Sequence, residues 1–130
     1  MSLFADLGLS EPLLRALTQE GYSEPTPIQA MAIPEVLAGK DLLACAQTGT
    51  GKTAAFALPL IERWTKSPSA TRAVRILVLA PTRELALQIH DSFRTYGRHS
   101  GIRVTAIYGK VSQVHQVKAL RKGVDVVIAT

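Results

Sequence analysis

A chain of 130 residues with 47% apolar side chains is long enough to close one domain around a real core, and none of its apolar runs approaches the ~18 residues that span a bilayer. Cys45 is the only cysteine, which excludes an intrachain disulfide and agrees with a reducing cytosol. The start, Met1-Ser2-Leu3-Phe4-Ala5-Asp6, lacks the basic-then-apolar layout of a secretory signal, so a cytoplasmic location with no membrane partner is expected. His90, His99 and His115 show no metal-ligand spacing. The net charge of +5 conceals an asymmetry: residues 1–62 carry three basic and seven acidic side chains, residues 63–130 twelve and three. A basic second half is either a solvated surface or the footprint of a polyanionic partner.

In chain order, Leu3 to Leu9 is a short apolar lead-in. Ser10 stands where a helix N-cap belongs, with Glu11-Pro12 in the first turn. Leu13, Leu14 and Leu17 give that helix its apolar stripe, and Gly21 stops it. Pro25 and Pro27 preset an extended loop. A second helix starts at Ile28-Gln29, is jogged at Pro34 and ends near Leu37 with Gly39 as its cap. Leu42-Leu43-Ala44-Cys45 then reads as a first strand, with Cys45 as a small buried hydrophobe.

Directly after it comes Ala46-Gln47-Thr48-Gly49-Thr50-Gly51-Lys52-Thr53, followed by the helix-forming run that opens at Ala54. Strand, glycine-rich turn, lysine, hydroxyl and helix make the layout of a phosphate-binding loop. An ordinary polar turn is also rich in glycine, but with Ala or Gly allowed at the first position a chance match in a chain this long is only ~1%. Gly49 and Gly51 let the backbone curl and aim successive N–H groups at an anion, and the following helix points its positive end at the same place. Lys52 is placed to reach the β- and γ-phosphates, and the Thr53 hydroxyl to ligate a phosphate-bound Mg²⁺.

A helix is expected from Lys52 to about Trp64, then a breaker-rich connection over residues 67–72. Val74 to Ala80 reads as a strand buried on both faces. Pro81 ends it, and Thr82 caps a helix reaching about Tyr96. Val104 to Tyr108 is a third strand, Gly109 breaks it, residues from about Ser112 to Arg121 are helical, and Val124 to Ala129 is a fourth strand. Strands alternating with helices predict an α/β fold, an open parallel sheet with helices on both faces. Ligands of such sheets sit at the carboxyl ends of the strands, where Ala46, Pro81, Gly109 and Thr130 fall.

Taken together, these segments resemble the first RecA-like domain of a DEAD-box RNA helicase, and in detail the bacterial RhlE-type members. The resemblance covers the whole chain. Gly21-Tyr22-Ser23-Glu24-Pro25-Thr26-Pro27-Ile28-Gln29 is similar to the family's Q motif, and Phe4 lies where the family carries an isolated aromatic. Ala46 to Thr53 fits the family's own A-x-T-G-x-G-K-T form, Pro81-Thr82-Arg83-Glu84-Leu85-Ala86 its motif Ia, and Ala129-Thr130 the start of its T-P-G-R segment.

The resemblance implies a P-loop NTPase fold with residues 1–39 as a Q-motif region and 40–130 as part of the ATP-binding domain. It implies ATP and Mg²⁺ as cofactors, with Gln29 reading adenine through a two-point amide pairing. Phe4 would pack on the base; Tyr22 either joins it or packs the loop. Ala46, Gln47, Thr48, Gly49, Thr50, Gly51, Lys52, Thr53 and Ala54 would hold the phosphates, with Lys52 and Thr53 serving catalysis. Pro81, Thr82, Arg83, Gly109, Lys110 and Thr130 would contact an RNA backbone without sequence preference. For Arg83 the competing reading is a structural pairing with Glu84 or another neighbour. The family commonly has paired glycines where Gly109-Lys110 stands here, a departure in which lysine either adds a phosphate contact or crowds the strand.

The expected activity of the intact protein is ATP hydrolysis coupled to RNA duplex unwinding. The D-E-A-D and S-A-T segments and a second RecA-like domain are missing from these residues, so a fragment without turnover is expected. With its usual neighbouring strands missing, Leu42–Ala46 is expected to invite strand exchange or self-association. Two alternatives stay open, another P-loop ATPase such as a DNA helicase and a non-catalytic nucleotide-binding module. No N-K-x-D guanine signature supports a GTPase.

Overall fold

The structure, a computed structural model, describes residues 3–67, 73–109 and 113–130. Leu9, Leu13, Ala16 and Leu17 recur on one face of α1 (Glu11–Gln19) or just before it, and all are buried. A 3₁₀ turn, Phe4–Leu7, precedes this helix. Gly21, with φ of 79°, reverses the chain after it. Thr26 caps α2 (Pro27–Leu37), which carries Pro34 inside it and is followed by Gly39 at φ 82°. Then come α3 (Lys52–Lys66), β1 (Ile76–Leu79), α4 (Arg83–Tyr96), β2 (Val104–Ile107), α5 (Gln113–Lys122) and β3 (Val126–Ala129).

The three strands are parallel in the order β1-β3-β2. Leu79, Ala129 and Ile107 stand in one row, so the residues that follow each strand emerge along one edge of the sheet. Ile76, Val78, Val126 and Ile128 join Leu58 and Ile61 of α3 and Ile89 and Phe93 of α4 in the core. Phe4, Leu13, Leu17 and Ile33 extend the same cluster into the N-terminal helices. No helix among the described residues is long and apolar enough to cross a membrane.

Three sequence expectations change. Leu42–Cys45 forms no strand: residues 40–46 have no ladder partner among the described residues, Leu43 is 93% exposed and Cys45 is exposed as well. A strand is defined by its neighbour, and a short run of Leu and Ala without one does not hold the ladder geometry. The Val74–Ala80 run is covered on one side only. Leu77 and Leu79 are 63% and 73% exposed, because α3 and α4 pack on the side that Ile76 and Val78 present.

Ser10 is also used differently. It occupies the N-cap position of α1, but its hydroxyl makes no cap bond; it donates to Glu62 Oε2 at 2.6 Å, and its backbone N–H donates to the same oxygen at 3.1 Å. Glu62 is wholly buried in α3, with Lys66 Nζ 3.4 Å from its other oxygen.

At the opposite end of the sheet, the buried Asp125 carboxylate accepts from the Arg103 backbone N–H (2.9 Å) and from its guanidinium (3.2 and 3.3 Å). Burial alone would raise its pKa, but the Arg103 hydrogen bonds outweigh it and hold the carboxyl below the usual range. A depressed folded-state pKa adds stability that is present above the unfolded value of about 3.9 and is lost as pH falls through the folded one. Urea midpoints measured down the acid limb should therefore fall more steeply for the parent chain than for Asp125→Asn, which starts lower and changes less. Parallel acid limbs would remove Asp125 as a source of the dependence.

Candidate nucleotide site and sheet edge

The glycine-rich turn folds as its residues dictate. Gly49 and Gly51 both take positive φ, 84° and 81°, and Gly51 is the left-handed N-cap from which α3 begins. Thr50 Oγ1 donates to the Gln47 carbonyl (2.6 Å), and Lys52 Nζ donates to the Ala46 carbonyl (2.6 Å), so the turn closes across its own mouth. Two further ammonium donors of Lys52 remain for an anion. Lys52 is exposed and faces an open hollow of about 750 Å³ shared with Lys40, Asp41, Ala44 and Ala55. Thr53 is half-buried in the first turn of α3, with Ala54 buried behind it.

The Pro-framed loop is tied directly to this turn. Thr26 and Gln29 form a reciprocal capping box at the start of α2. Gln29 Oε1 accepts from the Thr26 backbone N–H (3.0 Å), while Gln29 Nε2 donates to the Gly51 carbonyl (3.1 Å). Thr26 Oγ1 donates to the Thr50 carbonyl at 2.7 Å. Gln29 is buried, and these bonds use one amide hydrogen and one lone pair, leaving one of each.

Beside that junction lies a cavity of about 200 Å³. Of the predicted residues it gathers Phe4, Tyr22, Gln29, Gly49, Gly51 and Ala54 on one wall system. Phe4 belongs equally to the core, at 4% exposure, whereas Tyr22 is 52% exposed and presents its ring at the cavity rim. Ala46, Gln47, Thr48, Thr50, Lys52 and Thr53 belong to the turn outside this cavity. Leu17, Glu24, Thr26 and Tyr96 also line it and were not anticipated. The Thr26-x-x-Gln29 capping signature was legible in the sequence. Tyr96, arriving from the far end of α4, was not. Burial first, then the nearby Tyr22 and Glu20, raises the Tyr96 pKa, so its hydroxyl stays a donor.

A second group collects at the carboxyl edge of the sheet. Pro81, Thr82 and Arg83 follow β1, Gly109 lies two residues after β2, and Thr130 directly follows β3. The Thr130 N–H donates to the Ile107 carbonyl at 3.2 Å. Thr82 caps α4 as predicted, accepting from the Leu85 N–H at 3.2 Å. The Arg83 guanidinium lies over the ring of Tyr108, 4.5 Å from its centroid, and makes no ion pair with Glu84 among the described residues. Tyr108 is a residue that sequence reasoning missed. A side chain added at Gly109 would meet nothing within 4 Å among the described residues. Lys110 lies outside the described residues. No group of three or more His, Cys, Asp or Glu side chains is gathered to hold a metal among them.

The chain is similar to known proteins over nearly its whole length. The chain is 50% identical over 128 residues to "ATP-dependent RNA helicase DeaD" of Klebsiella pneumoniae, covering 98% of this chain and 19% of that protein. It is 53% identical over 127 residues to "Probable ATP-dependent RNA helicase ddx27" of Dictyostelium discoideum, covering 98% of this chain and 16% of that protein. The chain thus spans less than a fifth of the length of these curated relatives. The crystal structure of the RNA-helicase Prp28 from Chaetomium thermophilum bound to ADP superposes with a TM-score of 0.90 at 42% identity, over all of this chain and 32% of that one, which makes the fold that of its RecA-like helicase domain. The family model for the DEAD/DEAH box helicase matches residues 26–130. That match runs from the capping threonine of α2 through the last strand, and the chain belongs to the DEAD/DEAH box helicase family.

Proposed function

We propose that this chain is the adenine-nucleotide-binding part of an ATP-dependent RNA helicase, and that its sheet edge contributes contacts to an RNA backbone. The observation that carries the reading is the bond from Gln29 to Gly51. It joins the amide that reads the base to the turn that holds the phosphates, so both ends of one nucleotide are registered by one rigid unit. The unused hydrogen and lone pair of that amide match the N7 and N6 positions of adenine, a pairing that guanine fails. Phe4 and Tyr22 supply apolar walls for the base. The backbone N–H groups around Gly49 and Gly51, the start of α3 and Lys52 supply positive charge for the phosphates.

The donor set fits a nucleotide-borne Mg²⁺: the Thr53 hydroxyl would take one coordination position and phosphate oxygens others, and the bound ion would neutralise charge at the β- and γ-phosphates. In a protein of the relatives' length, residues 1–39 act as the base-reading region and 40–130 as the beginning of the ATP-binding domain. Hydrolysis coupled to duplex unwinding is the activity of that longer protein. Pro81, Thr82, Arg83, Gly109 and Thr130 at the sheet edge, joined by Lys110 next in the sequence, contact phosphates rather than bases, and the basic residues of the second half add to the field.

Parallel titrations with ADP and GDP test the nucleotide half. ADP should bind more tightly than GDP by about tenfold or more, the scale of one good bidentate pair. Gln29→Ala should remove most of that preference while Lys52→Ala weakens both nucleotides. Equal affinities in the parent chain would sink the adenine assignment.

A further inference from the structure

We infer that Tyr108 is a positioning residue for RNA: its ring fixes the Arg83 guanidinium at the carboxyl edge of the sheet with the hydrogen-bonding rim turned to a backbone phosphate. The inference rests on the reading of that edge as an RNA-contacting surface. Arg83 is the first residue of α4 and exposed, and an arginine in that setting ordinarily samples many rotamers, which weakens any phosphate contact it makes. Here the guanidinium carbon sits 4.5 Å from the centroid of the Tyr108 ring. Stacking engages the face of the guanidinium, whereas its N–H donors lie in the plane and point outward from its rim. The contact therefore immobilises the group without consuming the donors that a phosphate needs.

Tyr108 is held in turn. It directly follows β2, whose Ile107 stands level with Ala129 and Leu79, and its carbonyl accepts from Gln116 Nε2 of α5 at 2.9 Å. The neighbouring Gly109 leaves open space among the described residues. The place where the guanidinium rim is presented is thus flanked by the start of α4, whose N–H groups favour an anion, and by Gly109, which has no side chain of its own. A nucleic-acid phosphate suits all three features, and a contact made to the backbone is indifferent to sequence.

The test measures binding of a fluorescein-labelled oligouridylate to the 130-residue chain over a range of KCl concentrations, with ADP affinity as the check on folding. Arg83→Ala should weaken binding and reduce the salt slope by about 1, the mark of one lost phosphate contact. Tyr108→Leu should weaken binding roughly two- to fivefold, the scale of an exposed cation–π contact, with the slope nearly kept because the charge remains. Tyr108→Phe, which retains the ring, should bind like the parent. Arg83→Lys, which keeps the charge but not the planar fork, should behave like Tyr108→Leu, and it tests the idea independently if the leucine variant folds poorly. The double variant Arg83→Ala/Tyr108→Leu should bind no worse than Arg83→Ala alone. Parent-like binding by Tyr108→Leu or Arg83→Lys, or additive losses in the double variant, would overturn the role of Tyr108 while leaving the edge intact. An unchanged affinity and slope in Arg83→Ala would overturn the RNA reading of the edge itself, and the inference with it.

Discussion

Gly51→Ala should lose about 100-fold in ADP affinity, while Gly49→Ala loses about tenfold. Both glycines hold positive φ, where a Cβ costs about 1–2 kcal/mol, close to one factor of ten. They differ in their surroundings. A Cβ at Gly49 would meet nothing within 4 Å among the described residues, but at Gly51 it would run into the Gln29 amide. That collision displaces the bond from Gln29 to the Gly51 carbonyl, a further loss of about 1–1.5 kcal/mol, and it separates the base pocket from the phosphate turn. Isothermal titration of the two variants checks the difference. Equal losses would mean that backbone conformation alone, and not the contact with Gln29, makes Gly51 necessary.

The second large effect concerns stability. Phe93 is fully buried in α4 among the side chains of α3 and the sheet, with the Phe56 ring centroid 6.2 Å from its own. Phe93→Ala should cost about 3–5 kcal/mol, through lost transfer energy and a cavity that rigid neighbours cannot close. Against a total of about 5–15 kcal/mol for a typical domain, that is enough to leave the chain partly unfolded at ordinary temperature. Phe93→Leu should cost distinctly less, since most of the volume is kept. Urea denaturation of both variants measures the gap, and a parent-like midpoint for Phe93→Ala would show that this contact is not the centre of the core.

The parts of the molecule that were readable from sequence are those whose constraint is local. The turn at Gly49 and Gly51 was readable because only glycine accepts the left-handed backbone it needs, and the ends of α1 and α2 were readable through Gly21 and Gly39 for the same reason. The cap at Thr82 follows from hydroxyl chemistry at a helix start; Thr26 obeys the same chemistry, although the helix was expected to open at Ile28. What escaped is non-local. Leu42–Cys45 has strand composition, but pairing is a property of two segments, and its own residues do not supply the second. Tyr96 and Tyr108 are ordinary aromatics in a helix end and a strand end; their place beside Gln29 and Arg83 is decided by how α4 and β2 lie against the rest. The exposed faces of Leu77 and Leu79 escaped likewise, since an apolar run does not say which of its sides will find a cover.

The bond between Ser10 and Glu62 sets an order of events in time. The N-terminus of α1 is met by a carboxylate from another helix, 52 residues further along the chain. On a chain emerging during synthesis, α1 therefore lacks this carboxylate partner until α3 has been made and has folded back on it. Until then the apolar stripe of Leu13 and Leu17 lacks the α3 side chains that cover it in the folded chain, and α1 cannot reach its final setting before α3 exists.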